Sequence, residues 1–216
     1  MKKNILLALS LIILSSCHKE NEVINSSEKP IDKLLSGNLR FTDGKALNIH
    51  HNLEAVTKTR KKQNPFAVVL TCSDSRVDPD IIFDQGIGDL FIVKNAGNLI
   101  SDIDYGTIEY AVEHLNVKLI VVLGHTDCGA VKAFVSDDNK HYKEHKSHID
   151  DIISQIDNEN EIKKLDVKSK DYLINCIKAN ALHSVKQLTE DKLIKENKVK
   201  IVSLLYNVAN GKVTHL

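Results

Sequence analysis

Apolar residues follow two alternating rhythms along this chain. Residues 66–70, 90–93, 119–123 and 200–206 are short, nearly continuous runs rich in Val, Ile and Leu. Such runs, without polar alternation, predict strands buried on both faces. The segments between them carry apolar residues at helical spacing. Residues 31–41 place Ile31, Leu34, Leu35 and Leu39 on one stripe, and 52–62 reads as a second, polar-faced helix. Shorter helices are predicted over 80–84 and 129–135. Residues 107–115 align Ile108, Ala111, Val112 and Leu115, and 171–188 align Leu173, Ile177, Ala181, Val185 and Leu188. Strands alternating with helices predict an α/β fold: a mainly parallel central sheet flanked by helices, with an N-terminal helical arm. Asn210-Gly211 is a turn signal, after which a short antiparallel strand through Val213 would close the sheet. With no internal repeat, residues 31–216 read as a single domain.

The first residues follow a different rule. Met1-Lys2-Lys3-Asn4 is a positive start, and the apolar run 5–14, broken by Ser10, is too short to span a bilayer. It ends in Leu14-Ser15-Ser16-Cys17, which resembles a bacterial lipoprotein box. Residues 1–16 are thus expected to be a lipoprotein signal peptide, with Cys17 as the lipid-bearing residue. Residues 17–30 are polar and read as a flexible tether. The expected location is the bacterial cell envelope, periplasmic or outer-membrane-associated, with the membrane engaged through the N-terminal lipid. Lys+Arg and Asp+Glu balance at 29 each, so no basic excess points to nucleic acid.

Candidate chemistry lies in two strings, Cys72-Ser73-Asp74-Ser75-Arg76 and His125-Thr126-Asp127-Cys128. Two thiols and an imidazole are a zinc-selective set, and three protein ligands leave one position open, as in a catalytic zinc. Cys72 follows the first predicted strand and His125 the third, so both fall at the carboxyl ends of strands, where α/β sheets build their sites. Cys128 opens the helix 129–135, whose N-terminus favours a thiolate. Asp74 has two options: it takes the fourth metal position, or it pairs with Arg76 and water takes that position. Two thiolates offset the charge of the ion, so activity is expected to rise towards mildly alkaline pH.

At these residues the chain resembles a β-class carbonic anhydrase of the plant-like, open-site type. The likeness runs through 72–76, Ile81-Ile82-Phe83-Asp84-Gln85-Gly86, Asn95-Ala96-Gly97-Asn98, 106–112 and 124–130, with Asn38-Leu39-Arg40-Phe41 as an early motif. It implies reversible hydration of carbon dioxide to bicarbonate and a proton through a zinc-bound hydroxide gated by Asp74 and Arg76. Zinc would be held by Cys72, His125 and Cys128, joined by Asp74 in a closed state only. Gln63, Phe91, Tyr110 and Gly129 match substrate-pocket positions, and the first three would come from the neighbouring subunit. A homodimer or higher even oligomer is therefore implied. Two alternatives stand beside this reading: the same fold acting on CS₂ or COS, and a non-catalytic zinc-binding lipoprotein.

His141, His145 and His148 share a helical face, where they could shuttle protons or bind a second metal. Among Lys140, Lys143, Glu144 and Lys146, the plainer expectation is a solvated face. Cys176 beside its apolar stripe is expected to be an inert buried thiol.

Overall fold

A computed structural model describes residues 28–136 and 147–216. Five strands form one sheet: β1 (Ala67–Cys72), β2 (Leu90–Asn95), β3 (Leu119–His125), β4 (Lys200–Tyr206) and β5 (Val213–His215). Their order is β2-β1-β3-β4-β5; the first four are parallel and β5 is antiparallel. Every residue of β1 and β3 is buried, which is why their sequences show unbroken apolar runs.

Alternate side chains of these strands feed two cores. Val68, Leu70, Ile120 and Val122 point to one face, where they meet Ile108, Ala111 and Val112 of α4 (Asp102–Glu113). Ala181 and Leu188 of α7 (Tyr172–Glu190) and Ile194 of α8 (Lys192–Glu196) complete that layer. Val69, Val121 and Leu123 point to the other face, against Ile31 and Leu34 of α1 (Pro30–Thr42) and Ile82 of α3 (Pro79–Ile82). A third cluster lies beyond the strand ends. It joins Val131 of α5 (Gly129–Val135), Ile156 of α6 (His148–Asp157), Cys176 and Ile177 to Cys72 and Cys128.

The arm departs from expectation in one detail. Leu39, placed in the apolar stripe of α1 by its spacing, is 64% exposed. The seated face is instead Ile31, Leu34, Gly37 and Asn38. Gly37 lets the helix pass directly over the Phe83 carbonyl, and the Asn38 amide donates to Ile82 O at 3.1 Å and Gly211 O at 2.9 Å. The second predicted helix is shorter than its pattern, α2 (Leu53–Thr59), capped by the Asn52 side chain.

Topology explains where a site can form. From β1 the chain runs through α3 to β2 on one side, then crosses by α4 to β3 on the other side of β1. The connections leaving β1 and β3 thus diverge. A crevice opens between their carboxyl ends, the switch point of an open α/β sheet.

Candidate metal centre

Cys72 is the last residue of β1 and His125 the last of β3, so both project at the switch point. The strands are tied there by the Thr71 hydroxyl, which donates to Leu123 O at 2.8 Å. Cys128 is the N-cap of α5, three residues beyond the end of β3. The ligand atoms of Cys72, His125 and Cys128 lie within 4.8 Å of one another, and all three residues are buried.

The donor set fits a soft divalent ion on three counts. The Cys72 and Cys128 sulfurs are 4.0 Å apart, and neither forms a disulfide. His125 Nδ1 is 2.9 Å from Thr126 O, a contact that requires the proton on Nδ1 and leaves Nε2 as the lone-pair nitrogen. That Nε2 is buried with no hydrogen-bond partner, an otherwise costly state that a metal bond would relieve. Finally, the Cys72 thiol is held well below its usual pKa, chiefly by the Cys128 hydrogen bond, with the Gly97 N–H contributing. Cys128 is pushed up by the same contact with Cys72 and by burial. Charge on one sulfur thus opposes charge on the other, and a bound cation would offset both.

Gly97 belongs to a short 3₁₀ turn, Ala96–Asn98, that follows β2. Its N–H points at Cys72 Sγ, 3.4 Å away. Its φ of +81° favours glycine, and the Ala130 Cβ, 3.2 Å from where its own Cβ would stand, leaves little room for a side chain. The Asn180 amide of α7 holds the turn through Gly97 O at 2.7 Å.

Asp74 stands outside the three-donor group. Arg76 grips it with a fork: Nε to Oδ1 at 2.9 Å and Nη2 to Oδ2 at 2.7 Å, with the Arg76 backbone N–H also on Oδ1. That guanidinium holds the Asp74 carboxyl far below the ordinary carboxylate range. Of the two options open to Asp74, the structure adopts the pairing with Arg76. Arg76 also reaches Asp127, through Nη1 to Oδ2 and Nη2 to the carbonyl, each at 3.2 Å. Sequence reasoning assigned nothing to Asp127, Lys132 or Asn180. The available signal was the place of Asp127 between two ligands.

Of the remaining candidates, Gly129 adjoins the metal group and the others lie elsewhere. Gly129 is the first residue of α5, with open space where a Cβ would stand. Phe91 pairs with Val68, whereas Cys72 pairs with Asn95, four positions further along the strands. At about 3.3 Å per residue that is roughly 13 Å away, towards the opposite end of the sheet. Tyr110 accompanies Phe91, with ring centroids 6.2 Å apart, and Gln63 is exposed ahead of β1. Within one chain these three do not join the metal group. His148 is exposed at the start of α6, while His141, His145, the signal segment and Cys17 lie outside the described residues. Cys176 is buried, and burial raises its pKa.

Comparison with known proteins agrees with this geometry. The family model described as carbonic anhydrase matches residues 67–213. The carbonic anhydrase of Mycolicibacterium smegmatis is 50% identical over 103 residues, 48% of this chain and 50% of that protein. Carbonic anhydrase 2 of Mycobacterium tuberculosis is 49% identical over 100 residues, 46% of this chain and 48% of that protein. The chain thus spans about half the length of the curated relatives it matches. Among solved structures, a tetrameric β-carbonic anhydrase of Sordaria macrospora superposes with a TM-score of 0.66 at 26% identity, covering 88% of this chain and 98% of that one. The Coccomyxa β-carbonic anhydrase in complex with acetazolamide gives 0.67 at 25% identity, with 86% of each chain covered. A parallel sheet with a Cys-His-Cys group at its switch point, a family model over most of the domain and these neighbours lead to one conclusion: the chain belongs to the β-class carbonic anhydrase family.

Proposed function

We propose that this protein catalyses the reversible hydration of carbon dioxide to bicarbonate and a proton, at a zinc ion held by Cys72, His125 and Cys128. One observation carries the reading: three buried donors converge while the nearby Asp74 carboxylate is engaged by Arg76. The set therefore offers three ligands, not four, as a catalytic centre requires. Zinc, when bound, supplies the Lewis acidity that makes water a nucleophile near neutral pH.

The chain's own groups do the rest. Cys72 and Cys128 supply negative charge from two elements, so metal retention depends on β1 and α5 staying in register. The Thr126 carbonyl orients His125 through Nδ1. Asp74 stays ionised because Arg76 forks it, and as an anionic acceptor two residues from Cys72 it can orient a water in the crevice. Arg76, 47% exposed at its side chain, supplies positive charge at the mouth where bicarbonate leaves.

Gln63, Phe91 and Tyr110 would complete the carbon dioxide pocket of a neighbouring subunit, in a homodimer or higher even oligomer. Cys17 would anchor the mature chain to a membrane of the bacterial envelope, with 17–30 as tether. Labelling with a radioactive fatty acid, lost in Cys17→Ser, would support the anchor.

Stopped-flow hydration with metal analysis tests the activity. The purified protein should hold one zinc per chain and hydrate carbon dioxide. Asp74→Asn should retain zinc yet lose about a hundredfold in kcat/KM, the scale of a positioned proton acceptor. Stoichiometric zinc without hydration would sink the proposal.

A further inference from the structure

Arg76 does more than pair with Asp74, because its guanidinium lies between two carboxylates. Asp74 comes from the loop after β1 and Asp127 from the loop after β3. A guanidinium has five N–H donors in a rigid plane. Arg76 commits Nε and one Nη2 hydrogen to Asp74, and an Nη1 hydrogen and the other Nη2 hydrogen to Asp127. Its plane is thereby fixed relative to both loops that carry metal ligands.

Two features make Asp127 suited to this task. Its backbone is left-handed, with φ of +64°, between the ligands His125 and Cys128. Its carboxylate meets Arg76 and Lys132 and is not among the metal-binding donors. Lys132, on α5, occupies Oδ1 of Asp127 and leaves Oδ2 for Arg76. The two carboxylates therefore do not compete for the same edge of the guanidinium. Asp74 keeps the Nε–Nη2 edge, and the four charges sum to zero.

We propose that Asp127 is a positioning residue: it seats Arg76 so that the Arg76 fork holds Asp74 away from the metal position. The part assigned to Asp74 rests on the carbonic anhydrase reading. Asp127 touches neither substrate nor metal in this scheme. Arg76, Asp127 and Lys132 are each nearly half exposed, and exposed ion pairs contribute little to stability. A small bias is enough, because Asp74 has only two seats to choose between.

The experiment uses cobalt(II)-substituted protein titrated with azide and followed by its visible spectrum. Azide binds only when the fourth position is exchangeable, so its apparent affinity reports how often Asp74 occupies that position. Asp127→Gly keeps the left-handed backbone and removes the carboxylate; azide affinity should fall, by up to about three- to fivefold, the scale of one exposed ion pair. Asp127→Asn tolerates the same φ and keeps an acceptor for Arg76, so it should stay within about twofold of wild type. Adding Asp74→Asn to Asp127→Gly removes the competing carboxylate and should restore azide binding. Unchanged affinity in Asp127→Gly overturns the proposal. So does a loss that Asp74→Asn fails to restore, since that would mark damage to the metal group itself. Hydration by the wild type is measured separately. Its absence would defeat the activity reading while leaving the azide comparison to judge Asp127.

Discussion

Both carboxyl oxygens of Glu159 are buried without a hydrogen-bond partner. Burial, aided by the Glu161 charge, pushes its pKa from 4.5 up to about 8. Glu161 is the opposite case: His183 at 2.7 Å, with Lys186 at 3.2 Å, holds it at about 2. Between pH 4.5 and about 8 the folded protein keeps the Glu159 proton that the unfolded chain has released. The native state binds more protons in that window, so stability falls as pH rises through it. Glu159→Gln should remove this dependence. Urea unfolding of the zinc-loaded protein should show the variant gaining roughly 4 kcal/mol over wild type between pH 5 and pH 8.5. A pH-independent difference would show that Glu159 is not held neutral. No sequence rule flags this residue, because its neighbours Asn158, Asn160 and Glu161 read as a solvated loop. The metal ligands were legible for the opposite reason, since residue type and spacing alone define a soft donor set. Asp127 was not, because its role depends on a backbone angle and on a partner 51 residues away.

At the scale of elements, α1 is held by contact that only a small residue permits. A Cβ on Gly37 would stand 1.8 Å from the Phe83 carbonyl oxygen. Backbone cannot yield there as a flexible side chain would, so the helix would have to lift. Lifting it would strain the Asn38 contacts to Ile82, Gly211 and the Val213 N–H, which bind the arm to α3 and β5. Gly37→Ala should therefore cost about 2–3 kcal/mol despite the better helix propensity of alanine. Its urea midpoint, compared with that of Gly106→Ala at an uncrowded helical position of α4, gives the check. The four parallel strands were readable because burial on both faces leaves no polar alternation. Helix starts were less so: α4 begins at Asp102, behind a capping box of Ser101 and Asp104, rather than at 107 where its apolar stripe begins. Helix α6 has the same signal in Ser147 and Asp150, with Ile149, Ile152 and Ile156 behind it, but lies beside a histidine-rich stretch whose polarity masks it.

At the scale of the molecule, the metal group and the pocket candidates Phe91 and Tyr110 occupy opposite ends of one sheet. No rotamer change brings Phe91 or Tyr110 across roughly 13 Å of strand to the Cys72 end. If they serve catalysis they must serve a second copy, and β2, which carries Phe91, is an edge strand of the sheet. Tyr110 is 45% exposed in the single chain, large and aromatic, as expected of a residue that another subunit covers. This arrangement predicts complementation between two crippled chains. Cys72→Ser lacks a metal ligand but keeps its pocket residues; Tyr110→Ala keeps the metal group but lacks a pocket wall. Each alone should hydrate carbon dioxide poorly. Unfolded together and refolded as an equal mixture, half of the dimers should be mixed, and each mixed dimer should contain one complete site. About a quarter of wild-type turnover should then return, by the statistics of random pairing in a two-fold oligomer. Were the pocket built within one chain, a mixed dimer would hold no complete site, and activity would stay at the average of the two variants.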